Sequence, residues 1–138
     1  MIVDSSVVMH WLTRGGEFEN ECRKIRESLE KGNIIVRIPD VVIYDVYVRI
    51  AESEIPTDFA SRLIHLASQY LNFLAVRMSG ENLAEAIRVC RKVGVDFATA
   101  SCAVLSKDLE DLYVTADRRV CSILSEHGFR VTHVSDIF

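Results

Sequence analysis

Proline, glycine and long apolar runs are all scarce in this chain of 138 residues. It has 2 Pro and 6 Gly against 49% hydrophobic and 26% charged residues, a balance foreign to collagenous, low-complexity or disordered chains. The longest near-apolar stretches, residues 38–43 and 70–76, fall well short of the roughly 18 residues that span a bilayer. The start, Met-Ile-Val-Asp-Ser-Ser, lacks the basic leader of a signal peptide, so the expectation is a cytoplasmic protein with no membrane partner. Excess positive charge is missing as well. Sixteen basic and 20 acidic side chains leave a net charge of −4, and contact with a nucleic acid would have to come from a local patch or from bound cations. The cysteines (Cys22, Cys90, Cys102 and Cys121) form no C-x-x-C pair and fall at apolar phases of helical segments, where a reduced thiol behaves as a small hydrophobe. The histidines (His10, His65, His127 and His133) show no H-x-x-x-H spacing for zinc. There is no G-x-S-x-G elbow, no G-x-x-x-x-G-K-[ST] loop and no G-x-G-x-x-G.

What is present suits a single domain over residues 1–138, a length that supports one real core. Ile2 and Val3 read as a short strand ending on Asp4, and a helical pattern follows from Ser6 to the Gly15-Gly16 pair. Residues 17–31 place Phe18, Cys22, Ile25 and Leu29 on one stripe, with Gly32 as the C-cap. Residues 34–36 (Ile-Ile-Val) read as a buried strand. Residues 41–50 are rich in β-branched and aromatic side chains, which favours a strand. The Pro39-Asp40 start and the polar continuation to Glu54 favour a helix, and helix is the reading adopted. Its apolar residues occupy more than one face, which suits packing on a partner or a second copy. From Thr57 a helix turns Phe59, Leu63, Leu66, Ala67, Tyr70, Leu71 and Leu74 inward. Residues 75–77 form a strand, and Ser79 caps a helix that ends at Gly94. Another helix opens at Asp96, the strand 112–115 leads to Asp117, a helix runs to Gly128, and a last strand begins at residues 129–131. This alternation predicts a three-layer α/β/α domain around a short, mostly parallel sheet of four or five strands. Such sheets bind ligands beyond the carboxyl ends of their strands, where strand order reverses.

Polar residues at those ends are therefore the ones to examine. Asp4 and Asp117 each follow a strand. Asp96 opens a helix whose next turns carry Ala98, Ala100 and Ala103, and Asp45 interrupts a helix otherwise built of Val, Ile and Tyr. Each acid also has a plainer explanation: Asp96 and Asp117 as N-caps, Asp4 as a turn residue, Asp45 on a solvated stripe. Together they suggest more. Carboxylates brought close repel one another, and a hard divalent cation relieves that repulsion. Mg²⁺ keeps several waters, takes one or a few carboxylates and completes its shell with phosphate oxygens, which points to metal-assisted phosphodiester hydrolysis.

Four stretches then resemble one family in order and spacing over nearly the whole chain. They are Met1-Ile-Val-Asp4-Ser-Ser6-Val, Pro39-Asp-Val-Val-Ile-Tyr-Asp45-Val, Gly94-Val-Asp96-Phe-Ala-Thr-Ala and Val114-Thr115-Ala-Asp117-Arg-Arg-Val. They are similar to the motifs of PIN-domain nucleases of the VapC toxin type, and Gly128-Phe-Arg-Val-Thr-His-Val resembles that family's last strand. The resemblance implies an endoribonuclease dependent on Mg²⁺ (or Mn²⁺), the toxin half of a toxin–antitoxin pair. It implies a homodimer, a VapB-type antitoxin and a single-stranded or unstructured RNA substrate. Asp4, Asp96 and Asp117 would be the metal ligands, and Asp45 would complete a catalytic set of four. Ser6 and Thr115 would orient carboxylates or waters, or simply satisfy a cap and a strand end. Arg118 and Arg119 would contact RNA phosphates, or face solvent. The chain departs from the family at Asp45, where Glu is usual, and the carboxylate there reaches about 1.5 Å less far. A receiver domain shares the alternation but needs an acid adjacent to Asp4 and a Lys after the last strand, neither of which is present. A PIN-like module that only binds proteins is the other alternative.

Overall fold

The strands of the computed structural model, which describes residues 1–137, are two or three residues long. In chain order the elements are β1 (Ile2–Val3), α1 (Ser5–Leu12), α2 (Glu19–Glu30), β2 (Ile38–Pro39), α3 (Asp40–Ala51), α4 (Thr57–Leu74) and β3 (Ala75–Val76). Then come α5 (Gly80–Val89) with a π-helical turn over Cys90–Gly94, α6 (Phe97–Leu109), β4 (Tyr113–Thr115), α7 (Arg118–Glu126) and β5 (Val131–His133). All pairings are parallel: β1 with β4, β4 with β5, and β2 with β3. A bridge between Ile2 and Arg37, just before β2, joins the three-stranded and two-stranded sheets. The resulting order is β3-β2-β1-β4-β5. The chain builds outward from β1 on one side, then crosses over to build on the other. The order therefore reverses between β1 and β4, which puts the ligand crevice beyond Val3 and Thr115.

Successive strand residues point to opposite faces, yet Ile2, Val3, Ile38, Tyr113, Val114 and Thr115 are all fully buried. Helices thus cover the sheet on both sides, as expected for parallel strands. The central cover is α6, in which every residue from Ala98 to Ser106 is buried and most are small. It packs on β1, β2 and β4 and against α3 and α5. Small side chains let its backbone approach the strands closely, and this brings its N-terminal residue, Asp96, to the same end of the sheet as Asp4.

Three details of the sequence reading need correction. Residues 34–36 are not a strand. Pairing begins at Arg37, whose N–H donates to the Met1 carbonyl (2.9 Å) and whose carbonyl accepts from the Val3 N–H (3.3 Å), while Ile35 is 66% exposed. An unbroken apolar triplet carries no phase, so it cannot reveal where a ladder starts. The last strand lies two residues later than expected, at Val131–His133, where it pairs with Tyr113–Thr115 of β4. In α4 only Ala67 and Leu71 are buried, whereas Phe59 and Leu66 face outward. The helical reading of residues 41–50 agrees with α3, where tertiary packing overrides β-propensity. The cysteines are free, with Cys22 and Cys102 buried. No helix among the described residues is long and apolar enough to cross a membrane.

Candidate active site

Asp4 sits at the reversal point, 5% exposed, as the N-cap of α1. Its Oδ1 accepts from the Ser6 amide (3.0 Å), the Ser6 hydroxyl (2.5 Å) and, more distantly, the Val7 amide (3.4 Å). Its Oδ2 accepts from the buried Tyr113 hydroxyl at 2.5 Å. Burial raises the Asp4 carboxyl above its ordinary value, and hydrogen bonds from Ser6, Tyr113, Thr115 and Val7 pull the other way.

The hydroxyls beside Asp4 form a directional relay. The Ser6 hydroxyl donates its one hydrogen to Asp4, so its oxygen accepts from the Ala116 amide (2.9 Å) and, at 3.3 Å, from the Thr115 hydroxyl. The Thr115 oxygen in turn accepts from the Asp117 amide at 3.1 Å. Asp4 and Asp117, 113 positions apart, are therefore linked through two hydroxyls and the backbone.

Asp96 and Asp117 are also N-caps. Oδ1 of Asp96 accepts from the Thr99 amide (2.7 Å) at the start of α6, and Oδ1 of Asp117 accepts from the Arg119 and Val120 amides (2.9 and 3.1 Å) at the start of α7. The capping explanation is correct for both. It uses one oxygen of each carboxylate, and the second oxygen is not part of the cap. Both residues are exposed, so their free oxygens are open to water. Three helix N-termini, with their partial positive charge, thus support three carboxylates.

Asp45, on α3, is half-buried, and its Oδ2 accepts from Arg49 Nε at 3.0 Å one helical turn away. The Cys102 thiol on α6 is fully buried. After burial itself, the negative charges of Asp4, Asp96 and Asp45 all push that thiol upward, in that order among the carboxylates. Three carboxylates are thus near enough to one buried thiol for their charges to be felt there, and hydrogen bonds link Asp4 to the backbone at Asp117. They do not close into a cage: among the described residues, no three His, Cys, Asp or Glu side chains are placed to grip one ion.

Arg118 and Arg119 are exposed at the start of α7. The Arg118 guanidinium lies over the Phe18 ring, 5.1 Å from its centroid, and the same ring meets His133 edge-on at 4.5 Å. Two residues at this end of the sheet were absent from the sequence-based set. Tyr113 reads as an ordinary strand aromatic, and Phe18 as one member of an amphipathic stripe. No spacing signal separates either from the core.

No protein-family model matches the chain, and no curated protein is similar to it in sequence. Solved structures do match. PAE2754 from Pyrobaculum aerophilum aligns over 97% of this chain and 90% of its own, at 20% identity and a TM-score of 0.63. FitAcB from Neisseria gonorrhoeae aligns over 99% of both chains at 12% identity, with a TM-score of 0.70. The Mycobacterium tuberculosis toxin VapC20, described as cleaving the sarcin-ricin loop, covers 93% of this chain and 95% of its own at 12% identity, with a TM-score of 0.67. The chain has the α/β fold of PIN-domain, VapC-type proteins, built on a small parallel sheet.

Proposed function

We propose that the protein is a divalent-cation-dependent endoribonuclease and the toxin of a toxin–antitoxin pair. The observation that carries this reading is the buried carboxylate of Asp4 at the strand-order reversal, linked through Ser6 and Thr115 to the backbone of Asp117. Similarity of fold to a sarcin-ricin loop-cleaving toxin and to FitAcB supports the same reading.

The donor set suits a hard cation. It consists of carboxylate and hydroxyl oxygens, and a cation would offset the cost that burial places on an ionised Asp4. Because the acids form no closed cage, the fit is to an ion such as Mg²⁺ that retains waters, rather than one enclosed by protein. Asp4 and Asp96 would hold Mg²⁺ or Mn²⁺ most directly, Asp117 would join as a further ligand, and Asp45 would act through water. The bound ion supplies Lewis-acid stabilisation of a phosphoryl oxygen and a nucleophile at neutral pH. Ser6 and Thr115 orient Asp4, and their hydrogen bonds favour its charged form against the cost of burial. Arg119 and Arg118 would meet flanking phosphates of an unstructured RNA strand, with Phe18 setting the position of Arg118.

A protein partner is proposed as well, either a second copy or an antitoxin of the VapB type. Tyr44 and Val48 on α3 are at least half exposed, and Phe59, Leu66 and Phe73 lie seven residues apart along α4, at 60%, 66% and 90% exposure. The competing reading, a non-catalytic interaction module, draws on the Asp45–Arg49 pair and on that apolar face. Cleavage of unstructured RNA by purified protein separates the two. Mn²⁺-stimulated cleavage that Asp4→Asn and Asp96→Asn abolish, with circular dichroism unchanged, is the expected result. Cleavage that survives both substitutions assigns the activity elsewhere.

A further inference from the structure

We infer that Tyr113 is a positioning residue for Asp4, holding the carboxylate so that it meets a divalent cation through a single oxygen. The inference rests on the reading of this site as a cation-dependent nuclease centre. Tyr113 opens β4 in register with Ile2, two residues before Asp4, and its side chain is the largest of those fully buried. A phenol hydroxyl at that depth needs a partner. Oδ2 of Asp4, 2.5 Å away, is that partner.

The consequence follows from counting lone pairs. A carboxylate offers about four acceptor directions, two on each oxygen. The Ser6 amide and hydroxyl fill those of Oδ1, and the Tyr113 hydroxyl takes one of those on Oδ2. One direction on Oδ2 remains. Gripping an ion through both oxygens, which Ca²⁺ tolerates, would displace Ser6; a single-oxygen contact is what Mg²⁺ accepts in its octahedral shell. The strand partner of β1 thus restricts both how Asp4 turns and which cations it suits.

The test is Mn²⁺ binding by isothermal titration calorimetry to the full chain, with Mg²⁺ and Ca²⁺ as competitors. Tyr113→Phe keeps the ring and removes the hydroxyl. It should bind Mn²⁺ about tenfold more weakly, as loss of a ligand-orienting group typically does, and should discriminate less between Mg²⁺ and Ca²⁺. A merely structural role for the ring would leave that discrimination unchanged. Wild-type affinity and discrimination in the Phe variant overturn the inference while leaving the nuclease reading intact. No heat from the wild type at millimolar Mn²⁺ overturns that reading, and this inference with it. Should the Phe variant fail to fold, the tyrosine absorption band of the wild type decides. A shift on adding Mg²⁺, absent in Asp4→Asn, supports the Tyr113–Asp4 contact at the cation site, and an unmoved band contradicts it.

Discussion

Asp4 bears the largest burden of any residue here, because it is an acid placed where burial opposes its charge. A carboxyl whose folded-state value lies above its unfolded value of 3.8 destabilises the fold once it ionises. Its effect is absent below 3.8 and grows as pH rises through the elevated folded-state value. In the presence of a chelator, Asp4→Asn should therefore melt at a higher temperature than the wild type at pH 7, with the gap closing as pH falls toward 3.8; calorimetric melts across that range check it. A stabilised, inactive variant is the signature of a residue kept for function at the expense of stability. Asp45 makes the opposite case. Its contact with Arg49 is a partly exposed i,i+4 ion pair, worth at most about 1 kcal/mol, so Asp45→Ala should scarcely change the melting temperature. Asp45→Glu adds the missing reach and should raise the cleavage rate, measured at saturating Mn²⁺. The N-cap positions of Asp4, Asp96 and Asp117 were legible in the sequence, Asp4 and Asp117 because each follows a strand and Asp96 because it opens a helical pattern. The Arg49 partner was legible too, from its spacing of four, but an acid among Val, Ile and Tyr drew attention to burial instead. Tyr113 was not legible, since a hydroxyl within a strand gives no sign of whether it meets solvent, backbone or a carboxylate 109 positions away.

Among the elements, α6 carries the site. Its small residues set its distance from the strands, and its first turn places Asp96. Ala103→Leu inserts extra volume into a fully buried position and should cost roughly 1–3 kcal/mol, seen in urea unfolding, with a loss of activity as Asp96 is displaced. Asp96 itself has a cap role and a charge role that two variants separate. Asp96→Asn keeps the acceptor for the Thr99 amide, so stability should hold while metal-stimulated cleavage disappears. Asp96→Ala should also lose about 1 kcal/mol of stability from the broken cap. Helix boundaries followed from caps and glycines that the sequence displays, such as Ser79 before α5 and Gly94 at a φ of +82° before α6. Strand positions were less accessible, because two-residue strands carry no periodicity and their register is set by partners distant in sequence. The outward stripe of α4 was hidden because Phe59, Leu66 and Phe73 share a seven-residue repeat that a buried seam would also show.

At the scale of the whole molecule, the parallel strand order places Asp4 and Asp117 beyond the same end of the sheet, in a protein whose overall charge is −4. If these acids share a cation, as proposed, affinity for unstructured RNA should appear with Mg²⁺ and vanish with chelation. The apolar stripe of α4 predicts self-association. The wild type should elute at twice 15.6 kDa by light scattering, and Phe73→Glu with Leu66→Glu should return it to one copy. The central claim, that these acids share a cation, is tested most directly by a crystal soaked in Mn²⁺ and measured for anomalous scattering. The account predicts a peak between Asp4 and Asp96, in contact with Oδ2 of Asp4, with Asp117 as a further ligand and a water toward Asp45. A fully occupied peak elsewhere, with none beside Asp4, would contradict it.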